Sequence, residues 1–430
     1  MARVQNALQD AELDAVICAL PSNVLLLAGY WPVVGKSLAI CVRGGPTTLL
    51  VPEDEHDLAE KGFADVIETF EPGTLRTLPN ILDAIQPLLA AVLSKVRVAS
   101  GSIGVETGGH YQASSYLGMY LFGSELPSVV QELLPSAVLV SIDQWIAEQA
   151  CVKTSEELVQ IRQACAIAKK AYESASKQCR AGMKETEVAQ LFRSPLSTTE
   201  VPGPSIQRCD GFAFCMSGPN SAKAGAAYAR SRQRKLESSD LVMVHCNSYV
   251  DGFWTDITRT FTLQARDRRQ TKMFEAVFAA RAAGLSIIKP GTEARAVDAE
   301  VRRVIEEHGM GDFLKHGTGH GVGFSPSSAR KTPEIHAESG DILKEGIVFN
   351  VEPAVYIEGY GGARHCDMVA VTGTGYELLT DFLCEPQELV IGGEGGMHQR
   401  KIASGIDGRT LVACEKHSQS GQLNRNWRRQ

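Results

Sequence analysis

Through the first 150 residues of the chain, short apolar and β-branched runs alternate with helical patterns. The runs are Ala15-Val16-Ile17-Cys18, Leu38-Ala39-Ile40-Cys41-Val42, Thr47-Thr48-Leu49-Leu50-Val51 and Val138-Leu139-Val140. Strands separated by helices predict an α/β layer built around a mixed sheet. From Cys151 onward the period changes. Largely apolar side chains at Leu158, Ile161, Cys165, Ala168 and Tyr172 recur at helical spacing, with Thr154 or Ser155 as a cap and Glu156 and Glu157 in the first turn. This switch marks a domain boundary near residue 150. Two more helices are expected at about 268–288 and 293–308, separated by Pro290-Gly291.

Between these helical stretches lie strands of a second layer. Residues 241–244 and 253–261 read as an antiparallel pair around an Asp251-Gly252 turn, which brings His245 and Asp256 nearly opposite each other. Apolar runs at 347–351 and 368–371 carry Glu352 and Cys366 to the same sheet. Beyond about residue 392 the chain turns polar, from Gly392-Gly393-Glu394 to a basic end at Arg428-Arg429-Gln430, as a flexible or loosely docked tail would. The expected organisation is an amino-terminal α/β domain at 1–150, a catalytic domain at 151–392 and a polar tail at 393–430.

Composition narrows the classes. Hydrophobic content of 44% and charged content of 22% are ordinary for a globular protein, and 430 residues suit two domains. A net charge of −7 argues against a nucleic-acid partner. No apolar run reaches the length of a membrane span, and the first residues lack the apolar core of a signal peptide, so the expectation is a cytoplasmic protein with no membrane partner. The 11 cysteines are irregularly spaced and several sit in apolar contexts, which predicts reduced, buried thiols and no disulfide framework.

The chemistry is concentrated in four separated segments. They are Val244-His245-Cys246 with Asp251-Gly252-Phe253-Trp254-Thr255-Asp256, His316-Gly317-Thr318-Gly319-His320-Gly321, Val351-Glu352-Pro353, and Gly362-Ala363-Arg364-His365-Cys366-Asp367. Each polar residue interrupts an apolar strand-like run, where an uncompensated charge is costly to bury. A metal ion or a polar substrate shared by all four would compensate them. Without a cation, Asp256 and Glu352 facing one another would raise each other's pKa. The glycines around His320 let the backbone approach closely and aim the ring into a cleft.

In order and spacing the four segments resemble the pita-bread metallopeptidases and their relatives, which include methionine aminopeptidase, Xaa-Pro aminopeptidase, prolidase and creatinase. The resemblance spans roughly residues 1–390 and implies an α/β protein, in which a creatinase/prolidase-type α/β domain precedes an α+β pita-bread domain. In the metallopeptidases two Asp, one His and two Glu hold two divalent ions. The matching positions here are His245, Asp256, His320, Glu352 and Cys366, so three are kept and two are not. The expectation is one divalent ion, with zinc or iron favoured over manganese by imidazole and thiolate donors, or no ion at all, as in creatinase. His320, Glu352 and Asp256 are the expected catalytic residues, and His316, Arg364, Arg330 and His336 the expected substrate contacts. Two substrate histidines of the peptidases have no counterpart in the matching segments, which carry Ala226-Ala227-Tyr228 in place of Pro-His-Tyr, and Ser327. The reaction implied is hydrolysis of a C–N bond in a short peptide or small amide. The alternatives are a metal-free creatinase-like amidinohydrolase and a catalytically inactive peptide- or protein-binding pseudoenzyme. A homodimer is implied as well.

Overall fold

The computed structural model describes residues 2–32, 36–71, 81–95, 98, 100–107, 125–226, 230–325 and 332–391. The tail expected at 393–430 lies outside them, as do Arg330, Tyr228 and Ser327. The described residues belong to one compact unit within Met1–Gly392.

The mixed sheet expected of the first 150 residues is present. Its strands are β1 (Ala15–Cys18), β2 (Leu38–Val42), β3 (Thr47–Pro52), β4 (Val66–Phe70), β5 (Ser102–Val105) and β6 (Val138–Ser141), in the order β4-β3-β2-β1-β5-β6. β1 runs antiparallel to β2 and parallel to β5, β2 runs antiparallel to β3, and the outer pairs β3-β4 and β5-β6 are parallel. Because β1 is buried on both faces, it reads as an unbroken apolar run.

The helix Ser155–Ala175 begins where its cap predicts. Thr154 Oγ1 accepts the Glu157 N–H, and the Glu157 carboxylate accepts the Thr154 N–H in return. Its buried stripe, including Ile161, Cys165, Ala168 and Tyr172, packs on the strands that carry the polar segments. Two further helices, Arg268–Ser286 and Ala294–Glu307, close the layer.

Those strands are β7 (Cys209–Ser217), β8 (Leu241–Val250), β9 (Phe253–Trp254), β10 (Thr258–Thr262), β11 (Gly319–His320), β12 (Glu334–Ile335), β13 (Val348–Val351), β14 (Ala354–Ile357), β15 (Gly361–Arg364), β16 (Asp367–Val371) and β17 (Tyr376–Leu378). β8 is flanked by β7 and β10, and β13-β16-β17 form a separate ladder. Isolated bridges sew the pieces together: Thr258 pairs with Cys366, and Gly321 with Phe349. The four polar segments therefore meet although about 120 residues separate the first from the last.

The hairpin differs from expectation in one detail. His245 lies opposite Thr258, and Asp256 falls between β9 and β10, two residues away, with its Oδ1 3.7 Å from His245 Nδ1. Asn247 opens the ladder there, because its side-chain Oδ1 accepts the Ile257 N–H at 2.9 Å. The turn itself has Asp251 and Gly252 at φ 48° and 88°, the left-handed pair of a tight two-residue hairpin.

Candidate functional site

Strand alternation decides which side chains enter the cleft. His245, Asn247 and Thr258 share one face of the β8–β10 ladder, whereas Cys246 turns to the other and is buried beneath the helical layer. His320 enters from β11, where two glycines allow an approach no side chain would permit. A Cβ on Gly319 would lie 1.9 Å from the Asn350 carbonyl oxygen, and one on Gly321 would lie 2.1 Å from that of Thr332. Glu352 and Cys366 follow from the ends of β13 and β16.

Asp256 and His320 form the closest acid-imidazole contact, with His320 Nε2 at 3.3 Å from Asp256 Oδ2. The His320 ring is oriented by its other nitrogen, as Nδ1 donates to the Gly321 carbonyl at 3.0 Å. That fixes Nε2 toward the carboxylate. Both side chains are more than nine-tenths buried, so their contact lies in a low-dielectric setting.

Arg364 sits among the others. Its Nε donates to Thr258 Oγ1 at 3.2 Å, Nη2 lies 3.3 Å from His245 Nδ1, Nη1 approaches the Tyr356 hydroxyl at 3.5 Å and Glu352 Oε2 is 3.9 Å away. Burial opposes its charge, but Tyr356, Glu352, Cys366 and Asp256 together hold its pKa above the usual arginine value. The Tyr356 hydroxyl also bonds His316 Nε2 at 2.8 Å, while His316 Nδ1 donates to the Gly317 carbonyl. Burial raises the Tyr356 pKa to about 12 and lowers that of His316. Sequence reasoning missed Tyr356, Asn247 and Asn350, which carry no charge and sit within strands like ordinary packing residues.

Of the expected substrate contacts, His316 and Arg364 belong to this network. His336 is exposed, its ring packs against Gly317, and its Nδ1 accepts the Glu338 N–H at 3.3 Å. Among the described residues it shares no hydrogen bond or ion pair with the other site residues.

No three of the five residues expected to hold a cation bring donor atoms within 4.8 Å of one another, although the Asp256 carboxylate lies 3.7 Å from His245, 3.3 Å from His320 and 3.8 Å from Cys366. His245 Nε2 faces the Asn247 amide N–H at 3.2 Å, and Nδ1 faces Thr258 and Arg364, with Asp256 Oδ1 at 3.7 Å. Burial lowers the His245 pKa to about 4, which leaves the ring neutral at pH 7. Cys366 is a thiol that donates to the Asp256 carbonyl at 3.2 Å; burial, with Asp256 and Glu352 nearby, pushes its pKa well up. Asn350 Nδ2 lies 3.4 Å from His320 Nε2 and 3.5 Å from Cys366 Sγ. Ligands of one ion at ordinary bond lengths of ~2.1 Å stand at most ~4.2 Å apart. Among the described residues, the group of three whose donor atoms all lie within 4.8 Å of one another is His365, Asp367 and Cys384. That group is no better suited to a cation, because Arg259 and Arg281 already bracket Asp367. The donor set expected from sequence thus fails the test of fit, with His245 and Cys366 the clearest departures.

The model of metallopeptidase family M24 matches residues 159–373, half of the chain. An Xaa-Pro dipeptidase of Pyrococcus furiosus is 29% identical over 373 residues, 87% of this chain and 95% of that protein. An Xaa-Pro dipeptidase of Pyrococcus horikoshii is 27% identical over 372 residues, covering 86% and 93%. The crystal structure of the prolidase from Pyrococcus horikoshii superposes with a TM-score of 0.71 at 24% identity, over 88% of this chain and 97% of that one.

Proposed function

The chain belongs to metallopeptidase family M24, and on that footing we propose that it hydrolyses the C–N bond of short peptides, with Xaa-Pro dipeptides as the first substrates to test. Family membership implies a divalent metal. The single zinc or iron ion expected from imidazole and thiolate donors enters no step here, because the donors at His245 and Cys366 already have hydrogen-bond partners.

The observation that carries the reading is the buried Asp256–His320 contact, at 3.3 Å. In the proposed reaction this pair accepts a proton from the attacking water as its oxygen bonds to the carbonyl carbon. It then returns the proton to the departing amine as the C–N bond breaks, which balances the hydrolysis. Arg364 is the donor to developing negative charge; the Tyr356 hydroxyl, which donates to His316 Nε2, accepts from Arg364 Nη1 and helps place it, and Glu352 counters the guanidinium. Arg364 can equally hold the carboxylate of a dipeptide. An internal guanidinium also disfavours a guanidino substrate, since two such cations would compete for the same two acids.

Release of amine from Ala-Pro, Leu-Pro, Ala-Ala and creatine tests the proposal. Turnover of at least one dipeptide is expected, with His320→Ala and Asp256→Asn each lowering kcat by ~100-fold or more. Inactivity on every dipeptide, or activity indifferent to His320→Ala, would defeat it. The domain boundary near 150 and the homodimer belong to the same proposal, checked by limited proteolysis and sedimentation.

A further inference from the structure

We propose that Arg364 and Asn350 close the family's metal position in this chain, so that a guanidinium is the resident cation and no divalent ion binds there. A metal site needs lone pairs directed at one point from groups free of other donors. Here the ring nitrogens of His245 and His320 and the Cys366 sulfur already face N–H donors. Asn350 is oriented by its Oδ1, which accepts the His320 N–H at 2.6 Å, so its Nδ2 is turned toward His320 Nε2 and Cys366 Sγ. Asn247 is oriented in the same way by the Ile257 N–H, so its Nδ2 is turned toward His245 Nε2.

Charge points the same way. The resemblance supplies four carboxylates for two ions, but Asp256 and Glu352 are the two acids left at those positions. One positive charge, on Arg364, already lies 3.9 Å from Glu352 and within 3.3 Å of His245. A divalent ion among these residues would stand beside a buried guanidinium that cannot release its proton. A structural arginine could have bonded any nearby acid, but Asp367 is taken by Arg259 and Arg281. Arg364 is left inside the cleft, nine-tenths buried.

The test is metal binding, measured separately from turnover. Full-length protein is dialysed against chelator, then titrated with Zn2+, Mn2+ and Co2+, with bound metal counted by elemental analysis after desalting and the unfolding midpoint recorded at each addition. The expected result is no stoichiometric metal lost on adding His320→Ala or Asp256→Asn, and no metal-induced rise in midpoint that either substitution removes. Metal that persists in both variants sits elsewhere and leaves the proposal intact. One equivalent bound by the unaltered chain and lost in both variants would overturn it. An inactive protein that also binds no metal would sink the hydrolase reading alone.

Discussion

At the scale of single residues, charge and spacing made Asp256, His320 and Glu352 readable as chemistry, because an acid or imidazole inside an apolar run demands compensation. What compensates them was not readable. Asn350 and Asn247 act through the orientation of a side-chain amide, which depends on backbone N–H groups that only the folded register brings near. Cys366 stands at a ligand position in the resemblance, and a cysteine can also serve as a nucleophile. Its surroundings decide the matter, since a buried thiol with a raised pKa, donating to a carbonyl, is a poor nucleophile. Alkylation at pH 8 followed by peptide mapping should therefore modify Cys209, which is half-buried, well before Cys366. Rapid labelling of Cys366 in the folded protein would show that its thiol is not held inert by burial.

At the scale of elements, periodicity located the helices to within about two residues, and the Thr154 capping box fixed the start of the longest. The β8–β10 hairpin was legible from its Asp251-Gly252 turn, but not the opening at Asn247, because a side chain that replaces a backbone partner leaves no periodic trace. Gly319 is the most exacting position. Its neighbour across the strands is main chain, so no rotamer change can make room for a methyl group. Gly319→Ala should push β11 away from β13 and carry His320 off Asp256. We expect a loss of ~2 kcal/mol or more in denaturant unfolding, as for other overpacked sites, together with loss of turnover. Gly44, whose Cβ would meet nothing within 4 Å but whose φ is 66°, is the control: Gly44→Ala should cost some stability and leave turnover unchanged. If Gly319→Ala retains full activity, the close approach does not position His320.

At the scale of the whole molecule, the two halves are joined at the site's edge. Arg208 ties Glu55 and the Trp31 carbonyl of the amino-terminal half to the start of β7, and the Trp31 ring packs over Gly252 at the hairpin turn. No helix among the described residues is long and apolar enough to cross a membrane. Behind the cleft, Arg259, Arg281 and Thr380 converge on the fully buried Asp367, an ion cluster that pins β10 to β16. Such clusters contribute little net stability, yet removing one member strands the others' charge at a cost of ~3–5 kcal/mol.

His365 lies in that cluster, its ring edge against Phe278 and its Nε2 3.4 Å from Asp367, out of hydrogen-bond alignment. Burial lowers its pKa to about 4, and Arg259 adds to the effect against the opposing pull of Asp367. His245 is lowered to about 4 as well, by burial first, with Arg364 adding and Asp256 opposing. Both rings ordinarily titrate at 6.5 in the unfolded chain. Between pH 6.5 and 4 the unfolded state therefore takes up two protons that the folded state refuses. The sign follows: stability is full above pH 6.5 and falls as the pH drops toward 4, by ~2 kcal/mol per histidine at pH 5. Asp367 stays outside this window, because its arginines hold its pKa well below the usual carboxylate range despite burial. Urea unfolding at pH 7 and pH 5 measures the loss, and His365→Gln, which cannot protonate, should reduce it by about half whatever the substitution costs at pH 7. An equal loss in the variant and the unaltered protein would mean that His365 is not excluded from protonation by the buried arginines around it.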